Sequence, residues 1–277
     1  MSQVIRPSPL PGFGLGMGIL LMALTLVVLL PLGTLIGRGV LMGPVELWQH
    51  LGSKRVASAL VLSFRSALVA SAFNLVFGLL LAWVLTRYRF PGRRLVDAAL
   101  DLPFALPTAV AGIALTALYA PNGTFGKLLE PLGLQVAYTE AGIWLALVFV
   151  GLPFVVRTVQ PVIEEIDPEW EEASATLGAS RLRTMVRVVL PMLTPALLTG
   201  FALALARSVG EYGSVIFIAG NLPNVTEIAP LLIVIRLEEY NYDAATAIGL
   251  AMLGISFAML LLINLFQVWG RRRVGHV

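Results

Sequence analysis

Long apolar stretches, separated by shorter polar or basic segments, dominate the chain. About 20 mostly apolar residues suffice for a helix to cross the hydrocarbon core of a bilayer. Six stretches meet this requirement: Leu15–Ile36, Val56–Thr86, Leu95–Ala120, Ala141–Gln160, Pro191–Gly220 and Ala244–Trp269. The first is too long for the apolar part of a signal peptide, so we interpret it as an uncleaved helix. The pattern predicts an all-α membrane protein with six transmembrane helices.

Prolines and one short segment modify this pattern. Pro103 and Pro107 lie in the first half of the third stretch. Each removes a backbone hydrogen-bond donor, so we expect a bent third helix. The apolar segment Ile228–Ile235 is too short to cross the bilayer. It is better interpreted as a re-entrant or interfacial piece between the fifth and sixth spans.

The distribution of basic residues predicts the orientation, because cytoplasmic loops of membrane proteins carry an excess of Lys and Arg. With a cytoplasmic N-terminus, twelve arginines fall inside: Arg6, Arg87, Arg89, Arg93, Arg94, Arg157, Arg181, Arg183, Arg187, Arg271, Arg272 and Arg273. Five cations fall outside: Arg38, Lys54, Arg55, Lys127 and Arg236. We therefore expect both termini in the cytoplasm, with an N-terminal segment 1–14, a membrane domain 15–269 and a basic tail 270–277.

Composition supports a membrane protein and excludes several kinds of chemistry. Hydrophobic residues make up 58% of the chain and charged residues 13%, about half the roughly 25% that is usual in soluble domains. The net charge of +3 is too small to indicate nucleic-acid binding. Because the chain has no cysteine, disulfides and thiolate sites are excluded. The two histidines, His50 and His276, form no pattern typical of a metal site.

The common catalytic motifs are also missing from the sequence. The run Gly123–Lys127 is nearest to a phosphate-binding loop, but it lacks the earlier glycine and the final hydroxyl residue. Neither HExxH nor GxSxG occurs. An intramembrane enzyme is therefore the least favoured class. A channel or secondary transporter stays open, although it would need mid-span carboxylates and the spans offer little beyond Glu211.

The longest cytoplasmic loop, residues 161–190, carries strong local helix signals. Asp167 is a suitable N-cap, and Pro168 suits the first helical position. Acidic residues then follow at the positive end of the helix dipole, and Gly178 can end the helix in a left-handed conformation. The residues predict a short helix outside the membrane. It either connects two spans or serves as a docking site for a partner, and the residues alone do not separate these two interpretations.

A family resemblance favours docking. The run Glu172-Ala-Ser174, then Gly178, then Val188-Val-Leu-Pro191 is similar to the EAA loop of ABC-importer permeases, with every spacing met. Ser174 and Val188 depart conservatively from the family's Ala and Ile. The resemblance implies a type I ABC-importer permease fold whose loop docks on an ATPase subunit. The implied coupling residues are Glu171, Glu172, Ala173, Ser174, Gly178, Leu190 and Pro191.

Three later segments narrow the resemblance. Gly210–Pro223, Thr226–Ile233 and Leu237–Asp243 resemble the sulfate/thiosulfate permeases of the T-subunit type. Molybdate permeases share part of this pattern, so molybdate or another oxyanion stays as the alternative substrate. The resemblance implies alternating access in the bacterial inner membrane. It also implies a homologous second permease subunit, two copies of an ABC ATPase that use ATP and Mg, and a periplasmic sulfate- or thiosulfate-binding protein. The chain itself is expected to bind no cofactor or metal, and to contact lipid but no nucleic acid.

Charged and helix-breaking residues within the spans are candidates for the pathway or its gate. They are Arg65, Pro103, Pro107, Arg207, Gly210, Glu211, Tyr212 and Ser214. Arg207 and Glu211 stand four residues apart, so on a continuous helix they share a face and can pair. Arg65 has no acidic residue at helical spacing. It either extends to the outer interface or attracts the anion at the outer mouth.

Overall fold

The computed structural model describes the backbone of residues 13–274 and the side chains of residues 13–267. Most of the predicted N-terminal segment 1–14 lies outside these residues. Of the basic tail 270–277, only the backbone up to residue 274 is described. The described part of the chain is helical and contains no strand. It therefore has the all-α architecture that the hydrophobic pattern predicts.

Fourteen α-helices make up the described chain. They are α1 (Phe13–Leu24), α2 (Leu30–Leu51), α3 (Lys54–Arg87), α4 (Arg93–Leu100), α5 (Leu102–Ala105), α6 (Thr108–Tyr119), α7 (Thr124–Leu129), α8 (Glu140–Glu165), α9 (Pro168–Thr176), α10 (Arg181–Thr184), α11 (Leu190–Val209), α12 (Val215–Ile218), α13 (Ala229–Glu238) and α14 (Tyr242–Val274). Short π-helical segments at Thr25–Leu29 and Met185–Val189 join α1 to α2 and α10 to α11, and a 3-10 turn follows α7.

Within the part of the chain that the structure describes, five helical stretches are long and apolar enough to cross a membrane. They are Phe13–Leu51, Lys54–Arg87, Glu140–Glu165, Arg181–Val209 and Tyr242–Gln267. The bent pair Arg93–Ala105 and Thr108–Leu132 makes a sixth crossing if the pair counts as one span. The predicted second, fourth and sixth spans are thus confirmed to within a few residues. The first helix runs further than predicted, to Leu51, with a kink at Gly43 (φ 77°).

The third predicted span is bent as predicted, but it is interrupted more sharply than a kinked helix would be. Its two parts meet at an angle of 118°. Leu106 has extended dihedrals (φ −87°, ψ 136°) and separates α5 from α6. The residue before a proline is disfavoured in the α conformation, so Pro107 ends the first part and starts the second. Pro103 lies in the first turn of α5, where a proline breaks no helical hydrogen bond.

The fifth predicted span ends earlier than expected. We predicted helix up to Gly220, but α11 stops at Val209 and a non-helical turn leads to the four-residue α12. The next helix, α13, confirms the prediction that the segment Ile228–Ile235 is too short to cross the bilayer. The ten-residue α13 packs against α3 and α14 and buries Ala229, Leu231 and Leu232.

Helices α3, α8 and α11 pack closely on one another because glycines line their contacts. A Cβ added at Gly78 of α3 would lie 2.9 Å from the Val155 side chain of α8. One added at Gly200 of α11 would lie 3.0 Å from the Cα of the same valine. Small residues let helix backbones approach in a membrane, where packing rather than hydrophobicity drives association. These three helices form the centre of the fold.

Candidate functional site

The loop of residues 161–190 folds as its local signals predict. The Asp167 carboxylate accepts a hydrogen bond of 3.0 Å from the Glu169 backbone N–H and so caps α9. At the other end, Gly178 adopts the left-handed conformation (φ 80°). Its N–H donates to the Ala175 carbonyl at 2.9 Å, and the next N–H donates to the Ser174 carbonyl at 3.1 Å. This is the Schellman arrangement, which satisfies two carbonyls at the end of the helix.

The predicted coupling residues divide between two faces of α9. Glu172 and Ala173 are exposed, and so is Leu177 (88% accessible), which follows α9 and is not among the predicted residues. Glu171 and Ser174 are half-buried and contact the helical bundle. The outward face can dock on a partner, whereas the inward face attaches α9 to this chain. Leu190 and Pro191 are half-buried and start α11.

The turn after α11 is organised by one buried carboxylate. The Glu211 side chain is 2% exposed and forms an ion pair of 2.6 Å with Arg207. Its other oxygen accepts hydrogen bonds from the Ser214 backbone N–H at 2.8 Å and from the Ser214 hydroxyl at 2.9 Å. The structure thus confirms the pairing of Arg207 with Glu211. It also shows that the carboxylate fixes the turn Gly210–Ser214, in which Tyr212 is half-buried and Gly210 is exposed.

This turn lies against the break between α5 and α6. A Cβ added at Gly213 would overlap the hydroxyl of Thr108, the first residue of α6. One added at Gly112 would overlap the backbone of Ser214. The two interruptions of the apolar helices, one following Pro107 and one following α11, therefore pack together. Pro103 lies in α5, which contacts α8 instead.

Arg65 has an acidic partner after all, but a distant one in sequence. Its guanidinium pairs with Glu140, the first residue of α8, and its side chain is 56% exposed. Residues 75 positions apart cannot be paired from helical spacing, which explains why the sequence predicted an isolated charge. The ion pair joins α3 to the start of α8 and leaves more than half of the Arg65 side chain accessible.

Comparisons with known proteins match this architecture. Residues 74–276 match the family model described as "Binding-protein-dependent transport system inner membrane component". The chain belongs to this family of permeases. It is 51% identical to the Sulfate transport system permease protein CysT of Escherichia coli (strain K12), over 96% of this chain and 97% of the relative. It is 47% identical to the protein of the same name from Synechocystis sp. (strain ATCC 27184 / PCC 6803 / Kazusa), over 90% of this chain and 87% of that relative.

Solved structures confirm the permease fold. A bacterial ABC transporter for import of the acidic polysaccharide alginate matches with a TM-score of 0.72, over 96% of this permease and 97% of that chain, at 18% identity. The MetNI methionine ABC transporter matches with a TM-score of 0.56, over 80% and 96% of the two chains, at 19% identity. The type I ABC-importer permease fold implied by the resemblance is therefore correct.

The permease also contains charged contacts that the sequence did not reveal. The Arg55 guanidinium donates two hydrogen bonds, of 2.7 and 2.6 Å, to Glu227, whose side chain is 1% exposed. Arg157 of α8 pairs with Asp97 and Asp101, each at 2.7 Å, and so fixes the region of α4. These partners lie between 56 and 172 residues apart. The sequence shows only that each of these ionisable residues lies in or beside an apolar stretch, and it does not show which residues pair.

Polar residues also lie inside the three-helix centre of the permease. Ser66, Ser71 and Asn74 of α3 are fully buried, and Ser208 of α11 is 3% exposed. Their side-chain polar atoms have no hydrogen-bond partner among the described residues. A Cβ added at Gly151 would lie 2.5 Å from the Asn74 amide nitrogen. Polar side chains in apolar helices are costly and mark functional positions. These four buried residues are therefore candidate functional positions that average hydropathy does not reveal.

Proposed function

We propose that this permease forms the anion pathway of an ATP-driven sulfate import system. The observation that carries the proposal is the 51% identity to a sulfate transport permease over nearly the whole of both chains. Thiosulfate is included in the proposed substrate class. Molybdate or another oxyanion is the alternative substrate, because the permeases for these anions share part of the pattern after α11.

The proposed system divides the work among several subunits. The outward face of α9 would dock on an ATPase, present in two copies, which would bind and hydrolyse ATP with Mg. A homologous second permease would complete the membrane part, and a periplasmic sulfate- or thiosulfate-binding protein would deliver the anion. In support, the alginate transporter has been solved in a complex with its periplasmic protein. The proposed location is the bacterial inner membrane, with both termini in the cytoplasm.

The pathway is proposed to pass where the two interrupted helices meet. Non-helical backbone at membrane depth is tolerated only where protein buries it or a water-filled cavity lies beside it. In transporters, such interruptions commonly surround the substrate. The pair of Arg207 and Glu211 would hold the Gly210–Ser214 turn in place with its negative charge compensated. An uncompensated carboxylate there would repel a sulfate dianion.

The proposed mechanism is alternating access driven by the partner ATPase. Closure of the ATPase dimer would move α9 of each permease and open the pathway to the periplasm, where the binding protein releases the anion. Reset after hydrolysis would open the cytoplasmic side. Each state must be favoured by contacts that differ between the two conformations, since a ligand shifts an equilibrium only through differential affinity.

Reconstitution tests the function directly. The permease is assembled with its second permease, ATPase and binding protein in vesicles, and uptake of labelled sulfate is measured with and without ATP. We expect uptake that requires ATP and the binding protein. Molybdate added in excess should compete weakly. Strong competition would indicate the alternative substrate, and sulfate uptake without the ATPase would indicate a secondary transporter or channel.

Arg65→Gln is expected to lower sulfate uptake while the complex stays assembled. In the ion pair with Glu140, the Arg65 side chain is 56% exposed and the Glu140 side chain 28% exposed. Pairs open to solvent contribute only about 0–1 kcal/mol, so the fold should survive. If the guanidinium attracts the anion, the loss should be larger at low salt, where charges are screened less. The measurement is the initial uptake rate at two salt concentrations, at matched membrane levels.

Glu140→Gln provides the matched control for Arg65. It removes the same ion pair but leaves the positive charge, so uptake should stay at or above the unmodified rate. Equal losses in the two variants would show that the ion pair, rather than attraction of the anion, is what matters. Normal uptake by Arg65→Gln would leave only the interfacial role.

A further inference from the structure

The inward face of α9 attaches the loop to two different spans. The Glu171 carboxylate accepts a hydrogen bond of 2.8 Å from Arg87, the last residue of α3. The Ser174 hydroxyl lies 2.9 Å from the Thr184 hydroxyl, in a hydrogen bond that either can donate. Thr184 ends α10, which leads into α11. The inward face of α9 therefore contacts the end of α3 through Glu171 and contacts α10, which leads into α11, through Ser174.

Neighbouring groups stabilise both members of the ion pair between Arg87 and Glu171. The guanidinium carbon lies 5.3 Å from the ring centroid of Trp83, one turn earlier on α3, at cation–π distance. Arg87 lies at the negative end of the α3 dipole, and Glu171 lies in the first turn of α9 at the positive end of its dipole. The two side chains are 24% and 35% exposed, respectively, so the solvent screens the pair only in part.

The contacts of α9 with α3 and with α10 differ in how directly they connect α9 to the core of the fold. The path from α9 to α11 runs through the four-residue α10 and then through the π-helical segment Met185–Val189. Irregular helical turns of this kind commonly occur at functional sites and hinges. The path through Arg87 reaches α3 without an intervening turn. Since α3 packs against both α8 and α11 in the centre of the fold, a displacement of α9 reaches the core directly along this second path.

We propose that Arg87 is a positioning residue for energy coupling. Its ion pair with Glu171 transmits the movement of α9 to α3, so that the start of α11 and the end of α3 move together. This role rests on the proposed function, because it requires an ATPase that moves α9. It assigns Glu171 to transmission within this chain, and it leaves Glu172 on the face that docks.

The test uses the complete reconstituted complex and the number of anions imported per ATP hydrolysed. Arg87→Gln and Glu171→Gln should each lower this ratio at least about fivefold, the lower end of typical coupling between sites. Assembly and the ATPase rate should be kept, because the docking face is unchanged. The double variant should be no worse than either single variant, since all three remove the same interaction. Arg87→Lys should keep most of the ratio by preserving the charge.

Arg89→Gln is the matched control, because Arg89 is an exposed arginine two residues further along the chain. Equal ratios in Arg87→Gln and Arg89→Gln would overturn the proposal. Loss of assembly in Arg87→Gln, or additive losses in the double variant, would also overturn it and would assign the pair a structural role. The ratio is measured with whichever oxyanion the unmodified complex imports. Failure of the unmodified complex to import sulfate therefore contradicts the proposed substrate, not the role of Arg87.

Discussion

Arg207→Gln is expected to reduce strongly the amount of folded permease in the membrane. The Glu211 side chain is 2% exposed and would keep its negative charge without its partner. Removing one member of a fully buried ion pair typically costs about 3–5 kcal/mol. Because the Arg207 side chain is itself 33% exposed, we expect a loss at about the lower end of this range, which is still a large part of the stability of a folded domain. The two hydrogen bonds from Ser214 would not replace the lost positive charge. The measurement is the fraction of permease that survives extraction as an assembled complex.

The double variant Arg207→Gln/Glu211→Gln should recover part of this loss. A neutral glutamine at position 211 keeps a carbonyl oxygen that can accept from Ser214, and it leaves no buried charge uncompensated. Glu239→Gln is a suitable control, because it also removes an ion pair, with Arg236 three residues away. The Glu239 side chain is 48% exposed, so this pair is not buried as Glu211 is. A double variant no better than Arg207→Gln alone would contradict the charge-compensating role of the pair.

Gly178→Leu is expected to reduce sulfate uptake roughly tenfold while the permease stays inserted. A left-handed conformation costs a residue with an ordinary side chain roughly 1–2 kcal/mol, and every 1.4 kcal/mol is about tenfold in population. A Cβ at position 178 would meet nothing within 4 Å, so the substitution affects the backbone of the loop and not the packing of the core. The measurement is ATP-dependent uptake at matched membrane levels.

Gly178→Asn is the control for this substitution. Asparagine tolerates the left-handed conformation better than other non-glycine residues, so its uptake should stay close to that of the unmodified chain. Equal losses in the leucine and asparagine variants would indicate that any side chain at position 178 interferes with function, whatever the backbone conformation. Normal uptake by a well-inserted Gly178→Leu would contradict a role for the end of α9 in coupling.

The long spans and the helix α9 were predictable because their signals are local. For α3, α8 and α14, an apolar run of sufficient length determines the helix, and polar residues at each end limit it. For α9, the N-cap Asp167, the first-turn Pro168 and the terminal Gly178 each act within a few residues. In such segments the neighbouring sequence contains the whole cause of the structure.

The interrupted spans depend on contacts that the local sequence does not show. Pro107 indicates an interruption of the third stretch, but a proline is compatible both with a kinked helix and with the observed 118° break. The end of α11 is fixed by Glu211, whose carboxylate binds Ser214 rather than allowing the helix to continue. Hydropathy continues across both positions. At the break between α5 and α6, the packing partners are distant in sequence, as in the contact of Gly112 with Ser214. At the end of α11, the hydrogen bonds join residues only three positions apart, but hydropathy does not register them.

The split of the predicted coupling residues has a similar cause. Glu171 and Glu172 are adjacent and chemically identical, so sequence assigns both to the docking surface. Successive residues of a helix point about 100° apart, and in α9 the neighbouring end of α3 supplies a cation to one of them only. Which glutamate faces inward follows from where Arg87 lies, 84 residues earlier in the chain.

The first helix has a consequence for the order in which the chain is built. Within the described residues, α1 and the π-helical segment that follows it bury no residue. This part can enter the bilayer as soon as it is synthesised, because a helix bonds the backbone groups between its ends internally and none of these residues is buried against later ones. The break at Leu106 is different, since α5 packs on α8 and α6 packs on α12. Its backbone acquires these neighbours only when the ribosome has passed Ile218, so the early spans must remain in the membrane with an unfinished core until more than three quarters of the chain has emerged.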